Sequence, residues 1–316
     1  MLDLPNLQTN VPLAPLTTYK IGGPADMFVT VHSAAELTAA VTAAKGRGIP
    51  YFVLGTGANI LVSDAGFRGL VIHNRAKSIE VDTERLQVTA ESGATIGEVI
   101  AAAAELDLGN LEYFTVVPSS VGGGVRQNFH FVEVDAAQWA ASGEIVAGET
   151  QYLADRVTAG VVLDEAGKVH HVDHAWFEFT YDYSLMLDRP VILLATTFQM
   201  TRRPRAQIEQ QIAASAAWRA AKQPLLADFP SCGSVFINIP GVGAGRLIDQ
   251  AGLKGRSLGN VQVSPKHANY LVNLGGATAA DVRGLIEAVQ QEVQAATGQL
   301  LETEIGFVGD WSTWRS

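Results

Sequence analysis

Gly233-Ser234-Val235-Phe236 places a small hydroxyl between a glycine and an apolar run. A serine there has two readings. It is an ordinary turn residue that hydrogen-bonds nearby backbone, or it is a proton carrier held at a reacting centre. A second candidate lies upstream in VLGTGANILVSDAGFRGLVIH (53–73), where an apolar run ends at Gly55-Thr56-Gly57 and Ala58-Asn59 lead toward the next. Glycines let successive backbone N–H groups converge on an oxyanion, which is how a nest holds a pyrophosphate. No G-x-G-x-x-G spacing occurs and no long helix follows, so this is not a Rossmann fingerprint. The alternative is a plain strand-turn-strand connection. A third stretch, VPSSVGGGVRQN (117–128), offers another tight backbone surface, with Ser119 and Ser120 as donors and Arg126 as a cation. Two glycine loops before residue 130 favour a large phosphorylated cofactor. His170, His171, Asp173 and His174 are the one cluster with metal-binding chemistry. Strand alternation splits them between two faces and no cysteine joins them, so no metal is expected.

These groups need a scaffold. At 316 residues the chain has room for two or three packed units. Hydrophobic residues make up 47% and charged ones only 17%, which describes a globular protein with a large interior. The net charge of −10 argues against nucleic acid as a partner, yet leaves open a basic pocket for a small anion. Cys232 is the only cysteine, so no internal disulfide can form. The start, MLDLPNLQTN, shows no secretory pattern. Apolar runs such as VIAAAA (99–104) fall far short of the ~18 residues that span a bilayer. A cytoplasmic protein without a membrane partner is expected.

Periodicity and punctuation give the elements. Strands are expected at 25–32, 51–55 and 69–73, and two more within 78–94 joined by a turn at Asp82–Glu84. Ser33 with Glu36, and Thr95 with Glu98, are spaced as capping boxes opening helices, the second over 96–106. Residues 133–150 read as an irregular excursion or a short helix on a long loop. Strands return at 156–164, 168–173 and 191–200. The charged, proline-bearing stretch Arg202-Arg203-Pro204-Arg205 marks a boundary. Beyond it come a helix over 205–222, a short helix from Gly243 to Gly252, a strand at 269–273, and a helix opened by Thr278 and Asp281 and closed by Gly298.

TTYKIGGPADMFV (17–29), GTGANILVSDAGFRGLVI (55–72), VPSSVGGGVRQN, and then PSCGSVFIN, AGRLIDQAGLKG, VSPKHANYLVN, ATAADV and LETEIGFVG follow one another in order. Taken together they resemble the UDP-N-acetylenolpyruvoylglucosamine reductase family of peptidoglycan precursor synthesis, in its shorter subtype. The likeness spans nearly the whole chain, with a gap at about 129–155. It implies an α+β fold: an FAD-binding domain of the vanillyl-alcohol-oxidase (PCMH) type over 1–204, in subdomains of about 1–72 and 73–204, followed by an α+β substrate domain over 205–316. It implies FAD as cofactor, NADPH as hydride donor, a nucleotide-sugar substrate, a monomer, and reduction of an enolpyruvyl ether to a lactyl ether.

Residue by residue, the resemblance implies that Ser234 donates a proton and that Glu304 faces the same intermediate. Glu302 shares a strand face with Glu304 by alternation, so spacing does not choose between them. Implied FAD contacts are Tyr19, Gly55, Thr56, Gly57, Ala58, Asn59, Ile60, Leu61, Gly93, Pro118, Ser119, Ser120, Gly122, Gly123 and Arg126. Implied substrate contacts are Tyr181, Asn238 and Gln262, with Lys266 and His267 in the same lining segment.

Three departures stand out. In Phe179-Thr180-Tyr181-Asp182-Tyr183-Ser184, Asp182 occupies the place of the family's arginine, reversing the charge beside an anionic intermediate. NFHFVE (128–133) is bulky where the family is small. Ile237 and Gly306 replace basic residues. Two readings follow: the family reductase with another cation such as Arg126 or Arg246 substituting, or a flavoprotein of the same fold with an altered substrate or lost activity. A nucleotide-binding module without redox work is a third.

Overall fold

The computed structural model describes residues 2–239 and 241–314. The first unit contains β1 (Gln8–Pro12), β2 (Pro24–Val31), β3 (Tyr51–Leu54), β4 (Ile60–Val62) and β5 (Phe67–Asn74). Four of these form a sheet in the order β1-β2-β5-β3, with β1 antiparallel and the other three mutually parallel. The β2-to-β3 crossover is α1 (Ala34–Lys45), whose Leu37, Ala40, Val41 and Ala44 make the i, i+3, i+4, i+7 stripe buried against the sheet. Ser33 accepts from the Glu36 amide as expected, but the Glu36 carboxylate accepts from His32, one residue before the cap.

The second unit opens with β6 (Ile79–Asp82) and β7 (Gln87–Glu91), whose turn is fixed by Asp82 accepting from the amides of Glu84 and Arg85. Next comes α2 (Ile96–Ala104), with the reciprocal Thr95–Glu98 capping box in place. Then follow β8 (Leu108–Gly109), α3 (Val121–Gln127), β9 (His130–Val134), α4 (Ala136–Ser142), β10 (Ala147–Tyr152), β11 (Val157–Leu163), β12 (Val169–Asp173), β13 (Ile192–Gln199) and β14 (Thr201–Arg202). An antiparallel sheet in the order β12-β11-β13-β7-β6 carries α2 and α3 over a core that includes Val88, Ile96, Val99, Val121, Val125 and Phe198. The short strands β8 and β14 pair with each other.

Two expectations are corrected here. VPSSVGGGVRQN is not all loop: from Val121 to Gln127 it forms α3, with Ser120 accepting from the Gly123 amide at its start and Asn128 in the left-handed region at its end. Of the two readings of residues 133–150, the short helix is present as α4, but it sits between the antiparallel strands β9 and β10 and not on a long loop. The strand β10, AGETQY, is mostly exposed and pairs only with β9, so it has no apolar alternation to betray it.

After β14, α5 (Arg205–Lys222) packs back onto α4 and β9, burying Ile208, Gln211, Ala214 and Ser215. The C-terminal unit holds α6 (Ala244–Gln250), the antiparallel strands β15 (Ser257–Leu258), β16 (Val261–Val263) and β17 (Leu271–Asn273), and α7 (Ala279–Thr297). The capping box of Thr278 and Asp281 opens α7 and Gly298, at φ +75°, closes it. The chain then returns to the first unit as β18 (Gly306–Val308), parallel to β4. Tyr19, Ile21 and Leu61 of the first unit are buried in the C-terminal core. Among the described residues no helix is long and apolar enough to cross a membrane.

Candidate functional site

A cavity of about 1510 Å³ runs between the three units, larger than the ~300–1,000 Å³ typical of a site for one small ligand. One end is built on the turn after β3. Gly57 sits at φ +64°, and a Cβ there would meet the Leu16 carbonyl oxygen at 2.8 Å. The amide and hydroxyl of Thr18 both donate to the Gly57 carbonyl, so the turn is anchored through its oxygen. The amides of Thr56, Gly57, Ala58 and Asn59 have no protein acceptor among the described residues. Converging donors of this kind fit a phosphate-bearing ligand.

Facing that turn is the start of α3. A Cβ on Gly55 would meet Ser120 Oγ at 2.4 Å, so the two segments touch only because residue 55 is glycine. The amides of α3 are already engaged: Val121 donates to Ala94, Gly122 to Ser92 and Gly123 to Ser120. The second glycine segment therefore supplies surface and the Ser119 and Ser120 hydroxyls, not a second set of free amides. Arg126 lines the cavity, pairs with no acid among the described residues, and is held below its ordinary pKa by burial.

The opposite end carries Ser234 and Glu304. The Glu304 amide donates to the Val235 carbonyl at 2.8 Å and the Ile237 amide to Glu302 at 2.9 Å, so two extended segments bridge at Phe236 and Thr303. Asn269 locks Phe236 from the other side, accepting from its amide at 2.9 Å and donating to its carbonyl at 2.8 Å. Ser234 thereby sits next to the strand position opposite Glu304, and Gly233, at φ +83°, turns the chain just before it. The Ser234 hydroxyl is hydrogen-bonded to the Tyr270 hydroxyl, and burial pushes Tyr270 up to about 12. Burial first, and the Asp182 carboxylate second, raise Glu304 to about 8, so it is a neutral acid at pH 7. Glu302 is exposed to solvent, which separates the two glutamates that alternation leaves together.

Asp182 forms the adjoining wall. It is a non-glycine residue at φ +49°, with its side chain only 10% exposed. Its Oδ1 accepts from His130 Nδ1 at 2.9 Å. The His130 ring lies tilted between Tyr152 and Tyr181, at centroid distances of 5.4 and 5.1 Å. Tyr181 is hydrogen-bonded to Asn238, whose Oδ1 in turn accepts from the Ala244 amide at the start of α6. Burial and then the Asp182 charge hold the Tyr181 proton above its usual range.

Most expected positions line this one cavity, among them Gly55–Ile60, Pro118, Ser119, Ser120, Gly122, Gly123, Arg126, Ser234, Asn238 and Glu304. Four lie off it. Tyr19 is wholly buried and donates from its hydroxyl to the Leu271 carbonyl at 2.8 Å. Leu61 is sealed in the C-terminal core. Gly93 is wedged against Asn74 and Ala76, where a Cβ would come within 2.7 Å. The Gln262 amide is turned back onto Gly255 and Ser257. His170 pairs with Asp164 and His174 with the Val157 carbonyl.

Sequence reasoning missed His130 and Tyr270. It also missed two buried polar atoms on the cavity wall that have no protein partner among the described residues, Gln223 Oε1 and Ser231 Oγ; a third such atom, His267 Nδ1, lies in the lining segment already named. Orphaned polar atoms on a cavity wall await a ligand or water. No local pattern in the sequence marks them.

Comparison with known proteins adds the following. Residues 223–308 match the model of the UDP-N-acetylenolpyruvoylglucosamine reductase C-terminal domain, and residues 25–140 match an FAD binding domain. The UDP-N-acetylenolpyruvoylglucosamine reductase of Heliobacterium modesticaldum is 36% identical over 95% of this chain and 90% of its own length. That of Listeria innocua is 35% identical over 96% and 95%. The crystal structure of UDP-N-acetylenolpyruvylglucosamine reductase from Thermus caldophilus superposes with a TM-score of 0.75 at 29% identity, covering 94% of this chain and 97% of that one.

Proposed function

The chain belongs to the UDP-N-acetylenolpyruvoylglucosamine reductase family, and from that premise we propose that it reduces the enolpyruvyl ether of a UDP-amino sugar to the lactyl ether of UDP-N-acetylmuramate. The chemistry that bound FAD would supply here is hydride donation, with NADPH as the source of the electrons. The Gly55–Ile60 turn with its free amides, the Ser119 and Ser120 hydroxyls and Arg126 would hold the FAD.

The observation that carries this reading is the meeting, in one large cavity, of Ser234 and a Glu304 that burial holds well above the usual carboxylate range. Adding hydride to a double bond conjugated with a carboxylate builds negative charge on that carboxylate, and the neighbouring carbon then needs a proton. Glu304, as a neutral acid, donates a hydrogen bond to the developing charge. Ser234 delivers the proton, and its bond to Tyr270 fixes the direction of its hydroxyl.

The test is anaerobic and done in halves. NADPH should bleach the bound flavin, and the enolpyruvyl nucleotide should restore its colour. Ser234→Ala should leave the first half intact and slow the second by about 100-fold or more. Equal loss in both halves would remove Ser234 from the proton-donor role.

One observation favours a second reading: the buried Asp182 carboxylate beside Glu304 is hostile to an anionic substrate. A flavoprotein of this fold acting on a less anionic compound would bleach with NADPH and stay bleached with the enolpyruvyl nucleotide. We further propose a cytoplasmic monomer serving cell-wall construction, with its substrate domain beginning at Arg205.

A further inference from the structure

We propose that His130, held by Asp182, binds the carboxylate of the substrate's reacting group and positions it against Glu304. The inference rests on the functional reading above and adds to it a substrate-contacting residue that the sequence motifs do not contain.

The need arises from charge. Asp182 lies close enough to Glu304 for its charge to act on that carboxyl. A second anion brought there requires a cation or a donor. Several basic side chains line the cavity, but most are committed elsewhere. Lys254 pairs with Asp249, Lys266 donates to the Ala220 carbonyl and Arg219 to the Val116 carbonyl. Arg126, Arg189 and Arg246 make no ion pair with either acid among the described residues. His130 alone is bonded to one of the two.

Geometry leaves it one orientation. Nδ1 is spent on Asp182, so the other ring nitrogen, with no protein partner among the described residues, remains for the cavity that His130 lines. Nδ1 donates to Asp182, and Nε2 faces the substrate's carboxylate as its donor. The imidazole thus stands between the carboxylate of Asp182 and the one the substrate brings. The ring cannot swing, because Tyr152 and Tyr181 flank it. His130 and Tyr152 are register partners at the open end of the β9–β10 hairpin. The segment that departs from the family's sequence pattern thus has a task, which is to bring an imidazole to Asp182.

The experiment uses the full chain loaded with FAD. It measures flavin reduction by NADPH, reoxidation by the enolpyruvyl nucleotide, and binding of that nucleotide to the oxidised protein by the change in flavin absorbance. For His130→Ala, flavin content and reduction rate should stay within about threefold of the parent, while nucleotide affinity falls by about 30-fold and reoxidation by about 100-fold. An analogue with a carboxamide in place of the carboxylate should bind parent and variant equally, which a merely structural role would not produce. If His130→Ala folds poorly, His130→Gln carries the same expectations. Reoxidation and binding at parental values, or equal losses with the carboxamide, overturn the inference. A parent protein that the enolpyruvyl nucleotide fails to reoxidise sinks the functional reading itself, and this inference with it.

Discussion

A glutamate that keeps its proton near neutrality is a hydrogen-bond donor, and Glu304 is such a group because burial and Asp182 raise it from 4.5 to about 8. The donor is present below that pH and lost above it. Reoxidation of the reduced flavin by substrate should therefore fall as pH rises through about 8, while reduction by NADPH should not follow the same curve. The same shift bears on stability. Glu304 binds its proton more tightly folded than unfolded, so folding takes up a proton between pH 4.5 and about 8, and stability declines across that window as pH rises. Glu304→Gln removes this penalty. In the ligand-free protein it should gain about 3 kcal/mol at pH 7, or about 5 °C in thermal midpoint, and almost nothing at pH 4.5. A midpoint gain independent of pH would refute the burial account. Tyr270→Phe should slow reoxidation by about tenfold without altering flavin reduction, since Ser234 loses its partner. None of this was legible locally. Resemblance marked Ser234 and Glu304, but strand alternation treated Glu302 and Glu304 alike, because the burial that separates them comes from segments far away in the chain.

Elements were legible where their chemistry is local. The capping boxes at Thr95 and Glu98 and at Thr278 and Asp281 stand where the i, i+3 spacing puts them, since both partners lie within one turn. By contrast α3 was hidden, because three consecutive glycines each cost about 1 kcal/mol of helix propensity. Tertiary contacts override that preference. A Cβ on Gly124 would lie 2.6 Å from the Phe129 ring, and one on Gly122 would lie 3.1 Å from the Ser92 carbonyl oxygen. Gly124→Ala improves propensity and damages packing, and the packing loss should win. A net destabilisation of about 1–2 kcal/mol is expected in denaturant titration, and a gain would show that Phe129 yields freely. The hairpin of β9 and β10 was hidden for a different reason: its second strand is polar and exposed, so pairing holds it without an apolar face.

At the scale of the molecule, packing runs across the boundary read in sequence at Arg202–Arg205. Helix α5 lies on α4 and β9, while β18 crosses back to β4. Tyr19, Ile21 and Leu61 sit in the C-terminal core, and Asn273 donates to the Tyr19 carbonyl at 3.0 Å. Such interlocking ties the unfolding of the C-terminal unit to that of the first. Leu61 is the sharpest probe. It is fully buried, its strand follows directly on the Gly55–Asn59 turn, and its register partner is Phe307. Leu61→Ala should cost about 2–5 kcal/mol through the cavity it leaves, and calorimetry should show the first and C-terminal units melting together at a lower temperature. It should also weaken FAD binding, because the free amides of the turn are aimed by the strand that Leu61 anchors. If instead the C-terminal unit melts alone and flavin affinity is unchanged, the turn is held by Thr18 and the first sheet only, and the shared core is a contact without mechanical consequence.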